Sequence, residues 1–114
     1  MQKYYWGNDL QPEGKWVANI YQGDFPQKNT GEDGFAGIAP VKSYGANPFG
    51  LYDIDGNVWE WCEDLYDPAV YGEYRVFRGG GWDDPERSCL VTNRRRSHPT
   101  FAIDDLGFRV ARPA

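Results

Sequence analysis

The chain of 114 residues has no long apolar run and very little histidine or cysteine. No stretch approaches the roughly 18 apolar residues of a membrane-spanning helix, and we expect no signal segment in this chain. One histidine and two cysteines without CxxC spacing exclude a disulfide framework and a zinc site built from cysteines alone. The 17 acidic and 12 basic residues give a net charge of −5, which argues against a general nucleic-acid binder.

Aromatic residues and turn formers are abundant instead. Aromatic residues make up 17% of the chain, and there are 14 glycines and 8 prolines. Because disordered chains are poor in aromatics, this composition predicts one loop-rich folded domain over residues 1–114. Alternation of apolar and polar residues predicts strands at 58–62, 74–78 and 107–111 in an antiparallel sheet, with one or two helical turns at most. The glycines at 79–81 predict a bulge or a close approach of another backbone segment.

Several sequence blocks follow one another in a fixed order through nearly the whole chain. Two of them are GNVWEW at residues 56–61 and RGGGW at residues 78–82, and others lie at 18–26, 29–35, 39–41, 47–54 and 107–111. Together they resemble the formylglycine-generating enzyme (sulfatase-modifying factor) family. The resemblance implies an α+β domain with the C-type-lectin-like fold, loop-rich with short antiparallel strands and little helix.

Family domains normally contain a preceding half that carries the two main helices, and this chain resembles only the part after it. Three explanations are open: the helical half has been lost, the chain is a fragment, or a partner chain or self-association completes the fold.

The enzymes of this family hold copper between two cysteines that follow the RGG block. Counted from Trp82, the first cysteine position falls on Asp84 and the second on Cys89. Copper(I) prefers two thiolates, so we expect neither bound copper nor formylglycine formation, and Cys89 would be catalytic only if the chain were an enzyme. An alternative is that Cys89 or Ser88 forms a nucleophile pair with His98. We interpret His98 instead as a surface residue.

Calcium is the cofactor that the resemblance implies. The family's two calcium sites correspond to two sets of residues here: Asn19, Ile20, Asp33 and Phe35 for the first, and Asp53, Gly56, Val58 and Glu60 for the second. Hard Ca²⁺ prefers several oxygen ligands, and loops supply them as side chains and carbonyls. The alternative is that Asn19 and Asp33 form Asx turns and that Asp53 and Glu60 are ordinary polar residues.

The segment 82–107 carries the most information about function. Its spacing resembles the variable proteins of diversity-generating retroelements, which share this fold and are mutated at asparagine-type codons in their C-terminal segment. Randomising the two adenines of such a codon cannot produce Lys, Glu, Gln, Met or Trp, and residues 90–106 contain none of these five. The alternative is an ordinary polar loop in a non-diversified relative. For residues 94–96 two interpretations are open: a local anion site for phosphate or a carboxylate, or a solvated arginine loop.

We therefore predict a variable binding surface on a rigid scaffold, because binding groups usually lie on loops that a fixed framework positions. The predicted ligand-binding residues are Asp83, Asp84, Leu90, Thr92, Arg95, Arg96, Ser97, His98, Thr100, Phe101, Ile103 and Asp104. The predicted scaffold is an aromatic core of Trp59, Trp61, Trp82 and Phe108, with Arg78 and Arg109 pairing with Asp53 or Glu60.

Our interpretation of the sequence is a ligand-binding protein that displays a variable surface to an unknown protein or small molecule. The alternative is a catalytically altered or inactive relative of the enzyme that oxidises a sulfatase cysteine with copper and oxygen. A third possibility is a truncated gene product with no independent role.

Overall fold

The computed structural model describes residues 2–25 and 27–113, and within them the regular elements are short. Two small sheets, one single-turn helix and two 3₁₀ turns are present: β1 (Gly23–Asp24), β2 (Lys28–Asn29), β3 (Trp59–Leu65), α1 (Pro68–Tyr71), β4 (Arg75–Arg78), β5 (Arg95–Ser97), β6 (Leu106–Gly107), and the turns Pro12–Gly14 and Glu86–Cys89. The prediction of short strands with little helix is confirmed. None of the described helices is long and apolar enough to cross a membrane.

The larger sheet has the strand order β5-β4-β3-β6. β3 and β4 form an antiparallel pair in which Trp61 lies opposite Phe77, and β5 adds to β4 in the same antiparallel sense. β6 pairs with β3 in parallel. The prediction of an antiparallel sheet is therefore wrong for this pair. Because β5 and β6 run in the same direction at opposite edges, the connection over residues 98–105 has to cross the sheet.

The predicted strand at 107–111 is also wrong beyond its first residue. β6 ends at Gly107, and the side chains of Phe108 and Val110 are 75% and 87% exposed. Their alternation matches a strand, but no described part of the chain covers them. Phe108 is therefore a surface residue and not part of the buried scaffold.

The buried side of the sheet is aromatic. Trp59 is only 3% exposed, and Trp59 and Trp61 each meet the ring of Phe77 edge-on, with ring centroids 5.4 and 5.3 Å apart. Period-two alternation places Trp59 and Trp61 on one face of β3, so both can contact one ring of the neighbouring strand. The predicted burial of Trp59 is confirmed, and Trp61 and Trp82 are half-buried.

The glycines after β4 lie where two other segments meet the sheet. A Cβ atom added at Gly79 would lie 2.7 Å from the carbonyl oxygen of Ile54, and one at Gly81 would lie 2.9 Å from the carboxylate of Asp105. Gly79 also has a φ of +104°, which residues with a side chain rarely adopt. The predicted close approach of another segment is confirmed.

Candidate functional site

A network of buried polar side chains holds the long loops together. Asn57 has a left-handed φ of 65° and is 6% exposed. Its Oδ1 accepts hydrogen bonds from Asn19 Nδ2 (3.0 Å) and from the Ala39 amide (2.8 Å), and its Nδ2 donates to the Ala39 carbonyl (3.2 Å). Buried polar groups are stable only when they are paired, so this asparagine fixes three chain segments relative to one another.

The four residues of the first predicted calcium set lie together beside this network. Asp33 accepts from the amide of Ile20 with one oxygen (2.8 Å) and from the amide of Phe35 with the other (3.0 Å), and the second bond closes an Asx turn. Nε2 of Gln22 donates to both the Ile20 carbonyl and the Asp33 carboxylate. Oδ1 of Asn19 is buried and has no donor among the described residues.

This donor set fits a calcium ion. All of its ligand atoms are oxygens, as Ca²⁺ requires, and the unpaired Oδ1 of Asn19 is buried beside them. The amide nitrogen of Gln22 connects two of those oxygens, so its side chain would have to rotate to admit an ion between them.

The second predicted set does not fit in the same way, because an arginine already occupies it. Arg109 donates from Nε to the Glu60 carboxylate at 2.6 Å and from Nη2 to the carbonyls of Tyr52 and Asp53 at 2.8 and 3.0 Å. Burial raises the pKa of Glu60, and the ion pair with Arg109 partly offsets this. The guanidinium supplies the positive charge here, and Gly56 and Val58 lie in the loop before β3.

The two scaffold arginines behave differently. The predicted pairing of Arg109 with Glu60 is confirmed. The prediction for Arg78 is wrong, because its Nη1 donates to the carbonyls of Val91 and Asn93 instead. Arg78 thereby fastens the loop before β5 to the sheet.

Asp84, which occupies the position of the family's first copper-binding cysteine, has a structural role. Oδ2 of Asp84 accepts from Trp59 Nε1 at 2.6 Å and from the Gly81 amide at 3.1 Å. Cys89 is fully buried, and burial raises the pKa of its thiol well above the usual value. A buried thiol with a raised pKa is a poor nucleophile and a poor metal ligand, because the thiolate is the reactive form.

His98 lies in the surface layer and has no contact with a cysteine. Its Nδ1 contacts Thr100 Oγ1 at 2.8 Å and its Nε2 contacts Glu73 Oε1 at 2.8 Å. Its side chain is 44% exposed. Both ring nitrogens are therefore engaged, and a nucleophile pair with Cys89 or Ser88 is not formed.

The segment after Cys89 places its predicted ligand-binding residues in several groups. One group, Asp84, Arg95, Phe101 and Ile103, lines a cavity of about 200 Å³ whose wall also includes Trp59. The Arg95 guanidinium lies 4.9 Å from the Trp59 ring centroid. This cavity therefore joins a cation, a carboxylate and apolar side chains.

The other predicted ligand-binding residues lie outside this cavity. Leu90 is half-buried and packs against the core of Tyr4, Ala18, Ile20 and Cys89, so part of it is structural. The exposed residues are Asp83, Thr92, Arg96, Thr100 and Asp104, and Ser97 is half-buried in β5. Partial desolvation raises the pKa of the exposed Asp83, and the charges of Asp84 and Asp104 raise it further.

Sequence reasoning missed the aromatic surface on the other face of β5. The Arg94 guanidinium lies 4.4 Å from the ring centroid of Tyr66, and that of Arg96 lies 4.3 Å from the ring centroid of Tyr71. Tyr66, Tyr71 and Tyr74 come from the turn between β3 and β4. Three of the nine residues at 66–74 are apolar or proline and three are tyrosine, a local density that could have indicated this surface.

The loop-rich α+β architecture with a small curled sheet defines a C-type-lectin-like domain of the formylglycine-generating-enzyme type. The chain belongs to the sulfatase-modifying factor enzyme 1-like domain family, whose match covers residues 1–114.

Two curated relatives show the range of this family. The chain is 41% identical over 129 residues to the formylglycine-generating enzyme of Streptomyces coelicolor, with 99% of this chain and 41% of the relative covered. It is 43% identical over 119 residues to the inactive C-alpha-formylglycine-generating enzyme 2 of Mus musculus, with 99% of this chain and 37% of the relative covered. The chain therefore spans about two fifths of the length of these relatives.

Two solved structures are similar in fold. The crystal structure of CarF superimposes with a TM-score of 0.71 at 30% identity, covering 97% of this chain and 38% of that one. Treponema denticola variable protein 1 superimposes with a TM-score of 0.61 at 36% identity, covering 68% of this chain and 33% of that one. The predicted fold class is confirmed.

Proposed function

We propose that this chain is a ligand-binding protein whose segment 90–105 forms a variable binding surface on a fixed scaffold. The observation that carries the proposal is the exposure of the side chains of Arg94–Arg96, at the edge strand β5, and of Thr100–Asp104, in the connection that follows it. Similarity to a solved variable protein supports the same assignment. Arginine and aromatic side chains are the groups that dominate binding energy at interfaces.

The alternative is a relative of the enzyme that has lost the reaction, and the inactive relative of Mus musculus supports it. Oxidation through copper is disfavoured because Asp84 is held by Trp59 and Gly81, and Cys89 is buried. When this protein is incubated with copper, oxygen and a sulfatase-type cysteine peptide, we expect the peptide mass to stay unchanged. Aldehyde formation at a rate proportional to protein concentration would overturn the binding-protein proposal.

Two matched libraries test the binding function. One randomises the exposed positions Arg95, Arg96, Thr100, Phe101, Ile103 and Asp104, and the control library randomises the buried positions Ala18, Asn19, Ile20, Asn57, Trp59 and Cys89. We expect most members of the first library and few of the second to resist proteolysis when displayed on yeast. Selection of the first library on unrelated targets should then enrich different sequences. If the first library unfolds as often as the second, the segment is structural and the enzyme-relative alternative is preferred.

We also propose that Asn19, Ile20, Asp33 and Phe35 bind a structural calcium ion. Folding is stabilised by RT ln(1 + [L]/Kd), about 2.7 kcal/mol when calcium is a hundredfold above its Kd. Thermal unfolding in millimolar Ca²⁺ should therefore occur several degrees above unfolding in chelator. Asp33→Ala should abolish most of this difference, whereas the control Glu32→Ala, an exposed neighbour, should preserve it. Equal melting temperatures in both buffers would remove the calcium site.

A further inference from the structure

Two guanidinium groups converge on one tyrosine ring at the exposed edge of the larger sheet. The guanidinium carbons of Arg94 and Arg96 lie 4.4 and 5.0 Å from the ring centroid of Tyr66, and that of Arg96 also lies 4.3 Å from the ring centroid of Tyr71. Because like charges repel, two guanidinium groups at one ring disfavour each other, and a nearby anion makes the arrangement favourable.

Their position follows from the register of the strands. β5 is an edge strand, and its Arg96 lies opposite Val76 of β4. Successive side chains of extended chain point to opposite faces, so Arg96 of β5 and Arg94, the residue just before the strand, lie over the tyrosines. Arg95 lies over Trp59 on the other face. The two outer arginines therefore form one surface, separate from the cavity that Arg95 lines.

Within residues 2–25 and 27–113, no carboxylate neutralises this pair. Among the described residues, neither Arg94 nor Arg96 has a carboxylate oxygen within the 4.0 Å of an ion pair. The nearby Glu73 is bound to His98 at 2.8 Å. By contrast, Arg109 is paired with Glu60 at 2.6 Å, although its side chain is 38% exposed. Although the chain has a net charge of −5, Arg94 and Arg96 thus have no acidic partner in the part of the chain that the structure describes.

The tyrosines hold these arginines in place. Tyr66 meets Tyr71 edge-on with ring centroids 5.4 Å apart, and Tyr71 stacks on Tyr74 at 5.8 Å. A guanidinium that stacks on an aromatic wall keeps its N–H groups free at its edge and loses less rotational freedom when it binds.

We propose that Arg94 and Arg96 bind a tetrahedral oxyanion group, such as a phosphate or sulfate, on the ligand of this surface. The guanidinium fork matches the oxygen spacing of such a group and donates two parallel hydrogen bonds to it. The proposal names the ligand chemistry of the binding surface and therefore depends on the proposed function.

The test is an NMR titration of the ¹⁵N-labelled full chain with inorganic phosphate, with sulfate and with acetate, at constant ionic strength set by chloride. We expect saturable shifts of the Nε–Hε signals of Arg94 and Arg96 with both dianions, and no saturable shift at Arg87 or Arg112. The phosphate and sulfate arms show which group binds more tightly. Uniform linear shifts at every arginine, or acetate binding as tight as that of sulfate, overturn the assignment.

Arginine variants distinguish a specific anion site from nonspecific attraction by positive charge. R94Q/R96Q should weaken dianion binding at least tenfold, whereas R87Q should change it less than twofold. Arg87 is a matched control because it is exposed and lies over another ring, that of Phe25 at 5.4 Å. Arg96→Lys keeps the charge without the fork and should weaken binding about fivefold. Unchanged affinity in R94Q/R96Q, or full affinity in Arg96→Lys, contradicts the proposed fork.

The tyrosine wall and the proposed function have separate readouts. Tyr66→Phe keeps the ring and should bind dianions within twofold of the unmodified chain, whereas Tyr66→Leu should bind several-fold more weakly. Full binding by a folded Tyr66→Leu variant would overturn the role of the ring.

If the surface library folds and yields binders but no dianion binds, the oxyanion site is wrong and the binding function stands. If dianions bind and the surface library does not fold, the oxyanion site stands and the proposed variable-surface function is wrong.

Discussion

The loop network around Asn57 and the segment after Cys89 contain the same kinds of polar residue but use them differently. Asn57 is 6% exposed, and its side chain and backbone amide bind Asn19 and Ala39. Thr100 and Asp104 are exposed, and among the described residues the hydroxyl of Thr100 contacts only a residue of its own segment, His98. Polar side chains of the same kind therefore differ in role between these two regions because they join different numbers of chain segments.

Among the predicted effects, removing a buried side chain from the larger sheet should cause the largest loss of stability. Trp59 is 3% exposed, contacts the ring of Phe77 and donates to Asp84, whereas Phe108 is 75% exposed. Trp59→Ala should lower the free energy of unfolding by roughly 3–5 kcal/mol, the usual cost of removing a large buried ring. Phe108→Ala should lower it by about 0.5 kcal/mol or less. Urea denaturation measures both, and similar losses would show that Phe108 is covered in solution.

The next largest effect should depend on pH. Asp55 is 4% exposed, one of its oxygens has no donor among the described residues, and burial raises its pKa to about 7. Between its usual pKa of about 4 and this value, the folded state holds more protons than the unfolded state. The free energy of unfolding should therefore fall as pH rises from 4 to 7, by at most about 4 kcal/mol for a shift of about three units.

Asp55→Asn should remove this loss, because a neutral amide has no charge to bury. Relative to the unmodified chain, the variant should unfold with a similar free energy at pH 4 and a higher one at pH 8. Asp104→Asn is the control, since its side chain is exposed. Parallel stability curves for Asp55→Asn and the unmodified chain from pH 4 to 8 would show that Asp55 is solvated.

A smaller effect compares one asparagine from each region. Asn57→Ala breaks three side-chain hydrogen bonds in a buried site, so we expect a loss of about 2–3 kcal/mol. Asn93 in the variable segment donates to the carbonyls of Arg87 and Ser88 at 3.4 and 3.2 Å and is half-buried. Asn93→Ala should cost about 1 kcal/mol. Equal costs in chemical denaturation would remove the distinction between the two regions.

The fold could be predicted where the chain has local patterns or family blocks. Alternation in 58–62 located β3, and the glycines at 79–81 marked the approach of Ile54. The parallel pairing of β6 could not be predicted, because it depends on how the connection over 98–105 crosses the sheet. The burial of Phe108 was predicted wrongly for a related reason: alternation indicates a face and does not indicate whether another layer covers it.

The candidate site was predicted less completely. The exposed positions of the variable segment and the pairing of Arg109 with Glu60 followed from the sequence. The contact of Arg94 with Tyr66 did not, because 28 positions separate them and only the strand register joins them. The role of Asp84 as an acceptor for Trp59 Nε1 likewise depends on tertiary structure.

The smallest effects should locate the boundary between scaffold and binding surface within the segment itself. Ile103 is 52% exposed, whereas Leu90 is half-buried against the core of Tyr4 and Cys89. Ile103→Ser should change the free energy of unfolding by no more than about 0.5 kcal/mol, as surface replacements usually do. Leu90→Ser should cost at least about 1 kcal/mol, because it removes apolar area that the core covers. If urea denaturation gives equal costs, the surface has no such boundary, and Leu90 belongs with the variable positions.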